Sequence, residues 1–246
     1  MAARLHQRAR RRATRGFTLV ELLVALMVMS LVAILSWRGL DGMVRTQAAT
    51  QERADQVLSL QVGLAQWTAD LDALVELPQL TALEWNGRVL RLTRRAGVGA
   101  EQAIVVAAWS RRTIDGRGTW LRWESPPLTT RGQVTDAWQK ADIWSSNAGP
   151  VERAREVAIV PMDEWQIFFF RGDAWTNPLS SDAQGAAVAR VGGGTPQAAA
   201  GAAAGATSAG VMPDGVRLAL TLPAGPGIGG IVTRDWVSPR VGGGKS

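Results

Sequence analysis

The stretch that decides the fold is Arg15 to Trp37, "RGFTLVELLVALMVMSLVAILSW", with Arg10, Arg11 and Arg12 just upstream. From Phe17 to Trp37 Glu21 is the only charged residue. At about 1.5 Å per residue this run makes a helix of roughly 31 Å, close to the hydrocarbon thickness of a bilayer. The segment is therefore expected to span a membrane. The positive-inside bias holds the arginine-rich side in the cytoplasm and sends everything after Trp37 across. An ordinary secretory signal has a shorter apolar centre and is cut on its far side. Here the Gly16-Phe17 junction precedes the apolar run, so a cut there removes the charges and keeps the helix.

Composition agrees with that division. The 246-residue chain carries a formal charge of +6, but six of its 27 basic residues lie before Phe17. Beyond that point 21 basic residues face 21 acidic ones. The mature part thus lacks the net positive charge that phosphate binding requires, and nucleic acid is not an expected partner. The chain has no Cys, and its one His, His6, sits in the leader. No disulfide framework or thiolate metal site exists, and neither a cofactor nor a metal is expected.

Glu21 is the residue that needs explaining. An ionised acid within a membrane helix costs about 2.5–3.5 kcal/mol on insertion scales, so a retained one should have a partner. The sequence offers none within the same helix. Cleavage at Gly16-Phe17 would create a positive amine four residues away, and a neighbouring helix shifted along the axis would bring its own amine beside this carboxylate. Glu21 is accordingly read as an assembly contact.

Past Trp37 the helix is expected to continue as an amphipathic stem. Val57, Leu60, Leu64, Trp67, Leu71 and Leu74 share one face, Gln56, Gln61, Gln66 and Asp70 take the others, and the stem ends before Pro78. The apolar period then shortens toward two. "GRVLRLTRR", "EQAIVVAAWS", "GTWLRWES", "WQIFFFRGDAW", "GVRLALTLP" and "GIVTRDWV" read as antiparallel strands, with turns at Gly87, Asp115-Gly116 and Pro126-Pro127. The Ala/Gly-rich stretch 181–210 reads as a flexible insertion and 241–246 as a flexible tail. The 11 Trp are read first as core, with a protein interface as the functional alternative.

Three features point away from enzyme chemistry. "PRVGGGKS" imitates a P-loop but has Pro239 at its first glycine position and no helix after it. Asp70 and Asp72 stand two apart on a helix and face different ways, so they do not form a carboxylate pair. No nucleophile and base stand together in any motif.

The order "RGFTLVE", a basic leader and a full-length span resembles the class III leader of type IV pilins and of type II secretion pseudopilins. The resemblance implies cleavage between Gly16 and Phe17 by a prepilin peptidase, N-methylation of Phe17, and an assembly role for Glu21. A long N-terminal helix followed by antiparallel strands is similar to the α+β pseudopilin fold. "SWRGLDGM", "LAQWTADLDAL", "WQIFFFRGDAW" and "MPDGVRLALTLP" place the nearest similarity with the minor pseudopilin J family of the type II secretion system. That family implies a leader over 1–16, a span over 17–37, a stem over 38–77 and a periplasmic β-rich domain over 78–246. It also implies anchoring in the bacterial inner membrane, and as partners minor pseudopilins I and K, component H, and the major pseudopilin. The alternatives are a minor pilin of a type IV pilus and, from a different class, a membrane-tethered periplasmic enzyme.

Overall fold

The computed structural model describes residues 16–97, 103–180, 212–225 and 228–239. The expectations for the leader 1–15, the insertion 181–210 and the tail 241–246 lie outside the described residues. The chain divides into two units, Met1–Gln51 and Glu52–Ser246.

In the first unit the described chain enters helix α1 (Leu19–Asp72) after three non-helical residues, Gly16 to Thr18. Every described side chain here is exposed. Leu22, Leu26, Ile34 and Trp37 belong to an exposed apolar surface.

In the second unit the same helix turns one face inward. Leu60, Gly63, Trp67, Asp70 and Leu71 are buried, and Val57, Leu64 and Leu74 are half-buried beside them. The expected stem face is therefore the packed one, with one correction. Asp70, read as lying on a polar face, is completely buried. The helix gives way after Asp72 because the chain is captured by a strand: the Arg95 N–H donates to Ala73 O and the Val75 N–H to Thr93 O, each at 3.0 Å.

Five antiparallel strands form the first sheet in simple meander order: β1 (Leu83–Trp85), β2 (Val89–Arg95), β3 (Ile104–Ile114), β4 (Arg117–Glu124) and β5 (Glu156–Pro161). The second sheet has β6 (Glu164–Arg171), β7 (Ala174–Thr176), β8 (Gly215–Leu222) and β9 (Gly230–Val237) in the order β7-β6-β8-β9. The expected α+β class holds. The turn at Asp115-Gly116 has φ of 49° and 77°, and Gly87 has φ of 91°, backbone that favours glycine. "WQIFFFRGDAW", expected as one strand, is a hairpin: Gly172 and Asp173, both at positive φ, turn β6 back onto β7.

Between β4 and β5 lie two helices that strand periodicity does not reveal, α2 (Arg131–Asn147) and the short α3 (Pro150–Arg153). Pro126-Pro127 accordingly leads from a strand toward a helix and not into another strand. α2 begins at a capping box in which Thr130 and Gln133 satisfy each other's backbone N–H groups. Its buried face is Val134, Ala137, Ala141, Trp144 and Ser145, mostly small residues in a polar sequence and hence a weak signal.

α1 and α2 cover opposite faces of the first sheet. Ala107 and Trp109 of β3 join a core with Leu60, Trp67 and Leu71, while Val106 and Ala108 point the other way into a core with Val134, Ala137 and Trp144. Burial on both faces is why "AIVVAAW" is continuously apolar and not alternating. The first core continues into the second sheet through Trp165, Ile167, Val216 and Leu218. Trp85 meets Trp165 edge-on at 4.7 Å between ring centres, and Trp109 lies 4.6 Å from Trp120. Trp67, Trp109, Trp120, Trp123 and Trp144 are fully buried, as the core reading of the tryptophans expects.

Candidate functional site

Two groups of polar residues stand out, one in each unit. The first is the expected processing and assembly motif. Gly16 and Phe17 are exposed and outside the helix, with open space around Gly16 and Phe17 at 81% exposure.

Glu21 lies in the first turn of α1. It has a hydrogen-bonding partner in Thr18, the residue just before the helix. The Thr18 N–H and the Thr18 hydroxyl donate to Glu21 Oε2 at 3.2 and 3.0 Å, and the Glu21 N–H donates back to Thr18 Oγ1 at 3.3 Å. This is a reciprocal capping box, which satisfies backbone donors that the first helical turn leaves open. The T-x-x-E spacing was legible in "FTLVE". The carboxylate also sits at the positive end of the helix dipole, a favourable place for negative charge.

The second group is a four-ion cluster centred on Asp70. Its Oδ2 accepts from Arg122 Nε at 2.8 Å and from Trp109 Nε1 at 2.9 Å; its Oδ1 accepts from Arg122 Nη2 at 2.9 Å and from Gln66 Nε2 at 2.8 Å. Arg94 Nε lies 3.1 Å from Oδ1 but is not aligned to donate, so that contact is coulombic. Glu124 accepts from both Arg94 and Arg122, closing a neutral set of two acids and two bases. Burial alone would lower the Arg122 value, yet Asp70 and Glu124 outweigh it and hold the guanidinium above its ordinary value. Burial likewise pushes the Glu124 carboxyl up, and Arg122 with Arg94 brings it below its ordinary value. Strand alternation explains the convergence: Arg94, Trp109 and Arg122 project from β2, β3 and β4 on the face that α1 covers.

This cluster ties α1 to β2, β3 and β4. Two open clefts of about 560 Å³ each are lined in one case by Glu52, Arg111, Arg117 and Asp163 and in the other by Glu76, Glu84 and Arg171. Among the described residues, no group of three or more His, Cys, Asp or Glu is arranged to hold a metal ion.

Residues 11–37 match the prokaryotic N-terminal methylation motif. The chain has the N-terminus of a type IV pilin-like protein. A comparison with curated proteins gave no match. The prepilin-type motif fits a structural, non-enzymatic role, processing by a prepilin peptidase and assembly with other pilin-like subunits. α1 is long and apolar enough to cross a membrane, consistent with anchoring of a prepilin-like chain.

Proposed function

We propose that this prepilin-like chain is a minor pseudopilin of a type II secretion system, of the component J type, and part of the tip complex that initiates and caps the pseudopilus. The observation that supports it most is the union of a prepilin-type N-terminus with a second unit in which α1 is buried against a meander sheet. In this reading prepilin peptidase cuts between Gly16 and Phe17, Phe17 is N-methylated, and residues 17–37 stay in the bacterial inner membrane with the rest in the periplasm. Minor pseudopilins I and K, component H and the major pseudopilin are the partners.

Assembly then turns on Glu21. Once the leader is gone, each subunit offers a new cation at Phe17, and a carboxylate in a low-dielectric setting gains more from such a cation than it would in water. Breaking the pair would strand a charge among apolar side chains. The motor that drives fibre growth is a separate cytoplasmic ATPase.

Deleting the chain from its host tests the assignment. Loss of folded exoproteins from the medium, with surface pili intact, supports a secretion role. Loss of pili with normal secretion assigns the chain instead to a type IV pilus.

A further inference from the structure

The chain has 11 Trp, and all of those from Trp67 onward are buried or half-buried in the second unit. Trp37, in the first unit, breaks that pattern and is 75% exposed. The core reading that accounts for the others fails here, and this ring needs a different account.

Its place on α1 supplies one. Trp37 ends the run in which Glu21 is the only charge, and Arg38, Asp41 and Arg45 follow within the next two turns. Asp41 and Arg45 pair with each other at 2.8 Å, while Arg38 is exposed. The helix begins at Leu19, so at 1.5 Å per residue Trp37 lies about 27 Å along it. A hydrocarbon layer is about 30 Å thick. With Leu19 just inside one boundary, Trp37 therefore reaches the other. An indole suits that boundary better than either side of it, because its ring is apolar while its N–H loses a hydrogen bond among acyl chains. Side chains on a helix also lean toward its N-terminus, which for Trp37 is the apolar run. The methylenes of Arg38 fit the apolar layer and its charge fits the phosphates.

We propose that Trp37 is a membrane-interface anchor: its indole sits where acyl chains meet lipid headgroups, with Arg38 toward the phosphates, and fixes how deep α1 lies. The inference rests on α1 spanning the membrane and is independent of which pilin-like machine the chain serves. Depth matters for Glu21, about 24 Å from Trp37 along the helix. A helix that sinks by one turn carries that carboxylate with it by about 5 Å.

The test uses the full-length chain, alone, in vesicles of phosphatidylethanolamine and phosphatidylglycerol. Lipids brominated near the headgroup or near the end of the acyl chain quench indoles at their own depth. Subtracting the emission of Trp37→Leu from that of the wild type isolates Trp37 from the other tryptophans. This difference should be quenched several-fold more by the shallow bromines than by the deep ones. Because the chain has no Cys, single reporters at Ala33→Cys and Leu40→Cys can be probed with a membrane-impermeant maleimide present on both faces. Ala33→Cys should stay protected and Leu40→Cys should react. Adding Trp37→Leu should slow the Leu40→Cys reaction several-fold, and Trp37→Tyr, which keeps an amphipathic ring, should leave it near the wild-type rate.

A difference signal quenched most by the deep bromines, or by neither set, overturns the anchor. Unchanged Leu40→Cys labelling in Trp37→Leu, together with lost co-isolation of a companion pilin-like subunit from host membranes, overturns it in favour of a protein contact. Equal slowing by Trp37→Leu and Trp37→Tyr overturns it too, since the amphipathic character of the ring then makes no difference. Free reaction of Ala33→Cys overturns the membrane span itself, and this inference falls with it.

Discussion

Asp70 on α1 and Arg122 on β4 are joined by two parallel hydrogen bonds, 2.8 Å from Nε to Oδ2 and 2.9 Å from Nη2 to Oδ1. The carboxylate is fully buried, and the guanidinium is nearly so. A planar, bidentate pair fixes the helix both along its axis and about it, since a slide or a rotation breaks both bonds together. Arg94 and Trp109 extend the same hold to β2 and β3. One side chain of the stem thus reaches three adjacent strands.

Removing the hub should be costly. Asp70→Ala leaves Arg94 and Arg122 with only Glu124 to balance them, and breaking a buried ion pair from one side costs about 3–5 kcal/mol. Equilibrium denaturation of the detergent-solubilised chain should show a loss of that order. A change under 1 kcal/mol would mean that water or Glu124 takes over the role of Asp70.

The cluster also sets a pH dependence. Glu124 is held below its ordinary value in the folded chain, whereas unfolded it titrates near 4.3 or so. A lowered folded value means that the carboxylate contributes stability above the unfolded value, and that the contribution is lost as pH falls through the folded one. The stability difference between wild type and Glu124→Gln should therefore shrink as pH is lowered from about 5 toward 3. Denaturation midpoints that run parallel across this window would refute the account.

How far the sequence reveals these features depends on how local each one is. The long apolar helix, the stem face and the prepilin-type motif are set by short-range spacing, and they were readable. So was the Thr18–Glu21 box, which passes unnoticed if Glu21 is considered only as a charge in a membrane. Asp70 is different: it sits between Trp67 and Leu74 on the edge of the apolar face, and its true partners lie on strands far along the chain. Arg122 alternates with Leu121 and Trp123 and looks solvent-facing until α1 is known to cover its side of the sheet, whereas Arg94 shares the face of Leu90 and Leu92. α2 escaped because its buried positions are mostly alanine and valine in a polar segment. Its Thr130 and Gln133 box was again a local clue.

At Gly63 the stem packs tightly against the first sheet. A Cβ built there would lie 2.3 Å from Ile159 Cγ2 and 3.1 Å from the Trp120 ring. Gly63→Ala gains helix propensity of about 1 kcal/mol, but overpacking of this kind costs about 1–3 kcal/mol. A net loss of stability should follow, and adding Ile159→Ala should recover part of it because Cγ2 is gone. Thermal unfolding of the single and double variants checks the sign. If Gly63→Ala proves more stable than wild type, Ile159 makes room for the added methyl group at little cost and overpacking does not decide the sign.

Two fully buried tryptophans provide a matched comparison for the hydrogen bond at the hub. Trp67 and Trp109 both belong to the core between α1 and the sheets. The Trp109 indole N–H donates to Asp70 Oδ2 at 2.9 Å, whereas the Trp67 N–H has no hydrogen-bond partner among the described residues. Replacing either by Phe removes similar ring volume, so the cavity costs largely cancel in the comparison. What remains is one bond to a charged acceptor, worth about 1.5–3 kcal/mol. The loss of an unpaired buried N–H in Trp67→Phe carries no such cost and relieves some desolvation. Trp109→Phe should therefore be the more destabilising by roughly that amount, measured by denaturant unfolding of the two variants side by side. Equal destabilisation would show that Arg122, Arg94 and Gln66 satisfy Asp70 without the indole, and that Trp109 serves the core by its bulk alone.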